Sequence, residues 1–177
     1  MKLALFGGSF DPPHIGHVEV VTKALSVLDI DKLIIVPAWR NPFKPSVVAE
    51  GEVRYGWLKE IFAETEKVEI SDFEIMSGRS VYTIETVKHY LSLYDEIYLI
   101  IGADNLENLK KWHSYDELDS LIIWVVACRN DIPIPENMIR LTLNAPISSS
   151  DFRTSASPLG LETEIEQKIT TYYKEHL

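Results

Sequence analysis

Cysteine is almost absent: Cys128 is the one thiol in 177 residues, so no internal disulfide can form and a reducing compartment is expected. Its place at the end of the apolar run Leu121–Ala127 reads as a small buried core residue rather than a reactive thiol. Basic residues are outnumbered, 17 Lys and Arg against 27 Asp and Glu. The resulting net charge of −10 argues against a nucleic-acid backbone or an anionic membrane as the main partner. A small anionic substrate stays open, because local side chains and helix ends decide that case. No apolar stretch approaches the ~20 residues needed to cross a bilayer. Lys2–Phe6 is too short for the apolar core of a signal peptide and runs directly into glycines. A soluble, cytoplasmic protein is expected. Internal repeats, low-complexity segments and linkers are also missing, so residues 1–177 are expected to form a single domain with a C-terminal helical segment from about 148 to 177.

Apolar material is plentiful at 46% of residues. Its distribution is that of buried strands alternating with amphipathic helices. Leu3–Phe6, Lys32–Val36, Lys67–Ser71, Glu96–Ile101, Leu121–Ala127 and Ile139–Leu143 read as strands. Helices are expected over Ile15–Leu28, Glu52–Glu64, Tyr82–Leu93 and Leu161–Tyr173, with a short one after Asp104. In the first of these, Ile15, Val18, Val21, Leu25 and Leu28 fall on one face. Ala38–Ala49, with Pro42 and Pro45 inside it and Pro37 just before, reads as a long loop of the kind that is often functional. Apolar strands without clean alternation, each followed by a helix, predict an α/β fold: a Rossmann-like, doubly wound parallel sheet with helices on both faces.

The first strand leads into Gly7-Gly8-Ser9-Phe10-Asp11-Pro12-Pro13-His14-Ile15-Gly16-His17. Two glycines after a strand allow a ligand close to the backbone. Ser9 can donate to phosphate, and a helix starting near Ile15 would direct its unpaired N–H groups at the same spot. His14 and His17, three apart on the first turn, lie on one side and can donate to oxygens whose charge grows during phosphoryl transfer. With no cysteine or third histidine nearby, no metal site is expected from this pair. Asp11 can either touch a nucleotide-bound metal or cap the turn. There is no G-x-x-x-x-G-K-[ST] loop, so this is not the P-loop solution.

A second block, Ile147-Ser148-Ser149-Ser150-Asp151-Phe152-Arg153, is a helix start. It can be an ordinary N-cap, or a second set of hydroxyl and N–H donors for phosphate with Arg153 adding charge. A third runs from Ile100-Ile101-Gly102-Ala103-Asp104 to Lys111-Trp112-His113, off the end of a central strand where open α/β sheets bind ligands.

These blocks together resemble the bacterial nicotinate-nucleotide adenylyltransferases, of the nucleotidyltransferase superfamily whose His-x-Gly-His motif is shared with class I aminoacyl-tRNA synthetases. The resemblance runs the length of the chain. It implies adenylyl transfer from ATP to nicotinic acid mononucleotide, with Mg²⁺ accompanying ATP. It implies His14, His17, Lys44 and Arg153 as catalytic groups. Gly7, Gly8, Ser9, Phe10, Gly16, Gly102, Asp104, Ser148, Ser149 and Ser150 would bind ATP. Tyr82, Thr83, Trp112 and His113 would bind the mononucleotide, Trp112 by stacking on the pyridine ring. Departures are visible: Ser150 stands for the usual threonine, Phe152 for isoleucine, Phe43 for a histidine, and His113 for a frequent tyrosine. Thr83 also reads as an N-cap. Alternatives are the same fold acting on another acceptor (the amidated mononucleotide, phosphopantetheine or FMN) and a non-catalytic nucleotide-binding module. A synthetase-like domain is disfavoured by the lack of a K-M-S-K-S-like loop and of a tRNA-binding extension.

Overall fold

The apolar runs become the strands of one six-stranded, all-parallel sheet. The computed structural model describes residues 1–40, 47–129, 132–145 and 148–177. Strands are β1 Lys2–Gly8, β2 Lys32–Pro37, β3 Val68–Ile70, β4 Glu96–Gly102, β5 Ile123–Arg129 and β6 Ile139–Leu143. Helices are α1 Ile15–Val27, α2 Gly51–Ile61, α3 Phe73–Met76, α4 Thr83–Leu91, α5 Tyr115–Leu121, α6 Ser149–Ser155 and α7 Thr163–His176, with a 3₁₀ segment over Ala103–Lys111. Among the described residues no helix is long and apolar enough to cross a membrane.

Strand order is β3-β2-β1-β4-β5-β6. The chain winds outward from β1 to β3, returns to β4 on the other side of β1, and winds outward again. Loops leaving β1 and β4 therefore diverge, opening a crevice at their C-terminal ends. Phe6 pairs with Ile100 in register, so Gly8 and Gly102 end neighbouring strands at one level.

Because side chains alternate across a strand, β1 feeds both faces. Ala4 and Phe6 join Leu33, Ile35, Ile100 and Val125 under α1 and α2. Leu3 and Leu5 join Ile34, Ile97, Leu99 and Val126 under α4, with Leu109 and Leu118. A third cluster (Ala49, Trp57, Phe152, Leu159, Ile165, Ile169 and Tyr173) fixes α6 and α7 beside α2.

Three details depart from the sequence reading. The face of α1 is rotated: Val20, Val21 and Ala24 are its fully buried apolar residues, Val18 and Leu25 are half-buried, and Ile15 turns to the third cluster. The short helices α3 and α5 are additional, having too few turns to show a period. Leu121 closes α5 instead of opening β5, and Gly7-Gly8 belong to β1, paired with Val36 and Pro37.

Candidate active site

The turn after β1 is built around an aromatic residue. Phe10 adopts a left-handed φ of +49° and buries its ring edge-on against Phe6 and His17, at centroid distances of 5.4 and 4.8 Å. A Cβ on Gly8 would lie 3.1 Å from that ring. Gly8 therefore makes room for Phe10, a packing reason for glycine at this position that the sequence reading did not foresee. Asp11 is buried, its carboxylate accepting from Val48 N (2.9 Å), Ala49 N (3.0 Å) and the Tyr173 hydroxyl. Those bonds tie the turn to the segment before α2 and to α7.

His14 is the N-cap of α1, and its Nδ1 accepts from Gly16 N at 3.1 Å. The His14 backbone N–H donates in return to Nδ1 of His17, also at 3.1 Å. This is a capping box made of two histidines, where serine and glutamate usually stand. The rings lie one over the other, centroids 3.8 Å apart and 30° from parallel. With Nδ1 accepting from an amide, each neutral ring carries its proton on Nε2, as a donor. Burial, reinforced by the charge of Arg129, pushes His14 down to about 4, so it is neutral at physiological pH.

One expectation fails here. The leading amides of α1 are used within the protein: Ile15 N donates to Leu159 O at 2.9 Å, Gly16 N to His14, and His17 N to His14 O at 2.9 Å. The dipole of α1 still points its positive end at this turn.

The serine block fastens α6 to the same turn. Ser148 caps α6 by accepting from Asp151 N (3.1 Å) and donates its own hydroxyl to Asp151 Oδ2 (2.6 Å). Ser149 donates to Pro12 O at 2.8 Å, and Arg153 donates to Asp11 O and to Ser150 Oγ, the latter at 3.4 Å. Both sequence readings meet here. The block is an N-cap, with the Ser148 and Ser149 hydroxyls held by protein groups, and it also carries Arg153 to the turn. Arg129, ending β5, acts electrostatically on both His14 and Asp151, so three chain segments converge on the histidine pair.

On the β4 side, Asp104 folds back over Gly102: a Cβ there would meet Asp104 Oδ1 at 2.5 Å. Asn105 Nδ2 donates to Gly102 O (3.1 Å) and Asp104 Oδ1 (3.3 Å). Trp112 is half-buried, packed on Trp124 at 6.2 Å, which leaves part of its ring outside the core. His113 stacks on Tyr82, centroids 4.2 Å apart and 22° from parallel, joining the segment after β4 to the start of α4. Tyr82 is the N-cap of α4 and Thr83 its first helical residue, which corrects the reading of Thr83 as the cap. Lys44 lies outside the described residues, as do Asn41 and Phe43.

The cytidylyltransferase-like family model matches residues 5–155. A relative from Sulfurimonas denitrificans, named "Probable nicotinate-nucleotide adenylyltransferase", is 49% identical over 98% of this chain and 95% of its own. One of the same name from Campylobacter jejuni is 49% identical over 98% of this chain and 97% of its own. The chain belongs to the nicotinate-nucleotide adenylyltransferases. The architecture agrees with that family: Plasmodium falciparum nicotinic acid mononucleotide adenylyltransferase complexed with NaAD superposes with a TM-score of 0.75 at 21% identity, over 98% of this chain and 95% of that one.

Two buried residues that brace the β1 turn escaped the sequence reading. Arg54, on α2, is wholly buried beneath the β1 turn, donating to Ser9 O and to three other carbonyls. A charged residue in an otherwise apolar helix face was the only available signal. Tyr173, near the end of the chain, reaches the Asp11 carboxylate, and no local pattern announces a contact across that separation.

Proposed function

We propose that this chain transfers AMP from ATP to nicotinic acid mononucleotide, giving nicotinic acid adenine dinucleotide and pyrophosphate, with His14 and His17 as the central phosphate donors. The observation that carries this reading is the stacked histidine pair at the switch point of the sheet, each Nδ1 held by a backbone amide. An amide on Nδ1 fixes tautomer and ring orientation before substrate arrives, and preorganised donors need no rearrangement as charge develops. The mononucleotide phosphate attacks the α-phosphorus in line while the bond to the bridging oxygen breaks and pyrophosphate departs. A phosphate monoester is itself a nucleophile, so the protein's task is alignment and charge neutralisation rather than proton abstraction. Arg153 and Lys44 add positive charge, and Trp112, Tyr82, Thr83 and His113 hold the mononucleotide.

Mg²⁺ belongs with the nucleotide in this reading, supplying charge neutralisation on the triphosphate. Asp11, the nearest carboxylate in the motif, already accepts three hydrogen bonds, and the described residues contain no cluster of three His, Cys, Asp or Glu suited to a resident metal. The lone buried cysteine accords with action in the cytoplasm. Pyrophosphate release from ATP and Mg²⁺, with the acid mononucleotide or its amide as acceptor, tests the assignment. Release with the acid and little with the amide is expected. Equal rates would remove Thr83 as a selectivity determinant, and no release from folded protein would redirect the assignment to another acceptor.

A further inference from the structure

Arg54 is 0% exposed, and no carboxylate among the described residues lies within ion-pair distance of it. Burying a guanidinium is costly unless its donors are satisfied, and here the acceptors are all backbone carbonyls. Nε donates to Ala49 O at 2.8 Å, Nη1 to Ser9 O at 2.5 Å, and Nη2 to Ala38 O and Trp39 O at 2.7 and 3.1 Å. These carbonyls come from three segments: the turn after β1, the chain leaving β2, and the segment before α2. Ala49 is gripped from both sides, since its N–H is held by Asp11 of the same turn. Ser9 directly precedes Phe10, whose ring supports His17.

We propose that Arg54 is a positioning residue for adenylyl transfer: by clamping the Ser9 carbonyl to the segments after β2 and before α2, it sets where Phe10, and through it His17, stand. It touches no reacting atom. Planarity and a fixed fork suit it to several carbonyls at once, which a lysine ammonium on a flexible stem cannot match. The inference rests on the histidine pair acting as phosphate donors.

The test compares wild type with Arg54→Lys, confirmed folded by circular dichroism, in the pyrophosphate-release assay. Small displacements of a reacting constellation are expensive, so kcat is expected to fall roughly 10²-fold. The KM for mononucleotide should stay within about threefold, because the contacts to that substrate lie elsewhere. A folded variant with kcat within about threefold of wild type overturns the proposal. Should Arg54→Lys not fold, ¹⁵N NMR of the wild-type guanidinium decides. The Arg54 resonances should shift on binding a non-hydrolysable ATP analogue while those of exposed Arg79 do not, and unmoved Arg54 resonances overturn the proposal. Wild type that releases no pyrophosphate refutes the enzymatic assignment instead, and the NMR readout still judges the clamp.

Discussion

At the scale of single residues, the proposed chemistry depends on how two imidazoles spend their nitrogens. His17 uses Nδ1 to accept from the His14 amide, which in the neutral ring places its proton on Nε2. Replacing it by alanine should lower kcat by about 10²–10³-fold, the scale of losing one donor to a transition state. Initial rates of pyrophosphate release measure this, and a loss below tenfold would remove His17 from that role. Titration sets the half-buried Glu74 against the buried His14. Glu74 accepts from Thr86 Oγ1 at 2.7 Å, and burial, with a smaller push from Glu85, raises its carboxyl from 4.5 to about 7. The folded state then binds more protons than the unfolded one between those values, so stability from Glu74 is full below pH 4.5 and is lost as pH rises through 7. His14, lowered from 6.5 to about 4, acts oppositely: its contribution is intact above pH 6.5 and is lost as pH falls toward 4. Glu74→Gln should accordingly raise stability at pH 8, on the order of 2–3 kcal/mol, with no difference from wild type near pH 4. Urea unfolding at the two pH values checks the sign, and equal stabilities at pH 8 would show that the carboxyl is not raised.

At the scale of elements, the segment after β4 and the start of α4 act together through the Tyr82–His113 stack. Trp112 beside it is half-buried against the core, with its ring edge-on to Trp124, and in the proposed reading its exposed part meets the pyridine ring. Trp112→Ala should raise the KM for the mononucleotide about tenfold, roughly the 1–1.5 kcal/mol of an aromatic contact, and leave the KM for ATP nearly unchanged. Steady-state kinetics with each substrate varied in turn distinguishes the two, and a rise confined to ATP would reassign the tryptophan. The same region shows where pattern reading stops. Strands and long helices were legible from apolar runs and 3.6-residue periodicity, whereas α3, with four residues, and α5, with seven, show no usable period. The cap of α4 was misplaced by one residue because Thr83 has the better capping side chain, yet the chain turns at Tyr82, where Glu85 Oε1 accepts from the Tyr82 N–H at 2.9 Å.

At the scale of the molecule, the end of the chain is built into the beginning. Tyr173 packs among Trp57 and Phe152 and donates to Asp11, 162 residues away in sequence. Ile15 and Gly160 also meet, and a Cβ on Gly160 would lie 2.9 Å from the Ile15 side chain. The tail is thus part of the support of the turn after β1. Tyr173→Phe keeps the ring and removes one hydrogen bond to a buried carboxylate, so it should cost about 1.5–3 kcal/mol in urea unfolding with an unchanged far-UV spectrum. A variant as stable as wild type would mean that the two remaining amides satisfy Asp11 alone.

The sequence by itself determined the parallel α/β fold, the position of the histidine motif after β1, and the family, because hydrophobic periodicity and a contiguous motif are local properties. Tertiary structure alone decided what each polar group is free to do. The leading amides of α1 were expected to serve phosphate, and Leu159 together with His14 takes them. Asp11 was open between metal and cap, and its carboxylate is engaged by residues from α7 and the chain before α2. Gly8 makes room for a ring two residues ahead, and Arg54 finds its acceptors on three separate segments. Each hydrogen-bonding group has few partners to give, and which neighbour claims them depends on distances that only the folded chain defines.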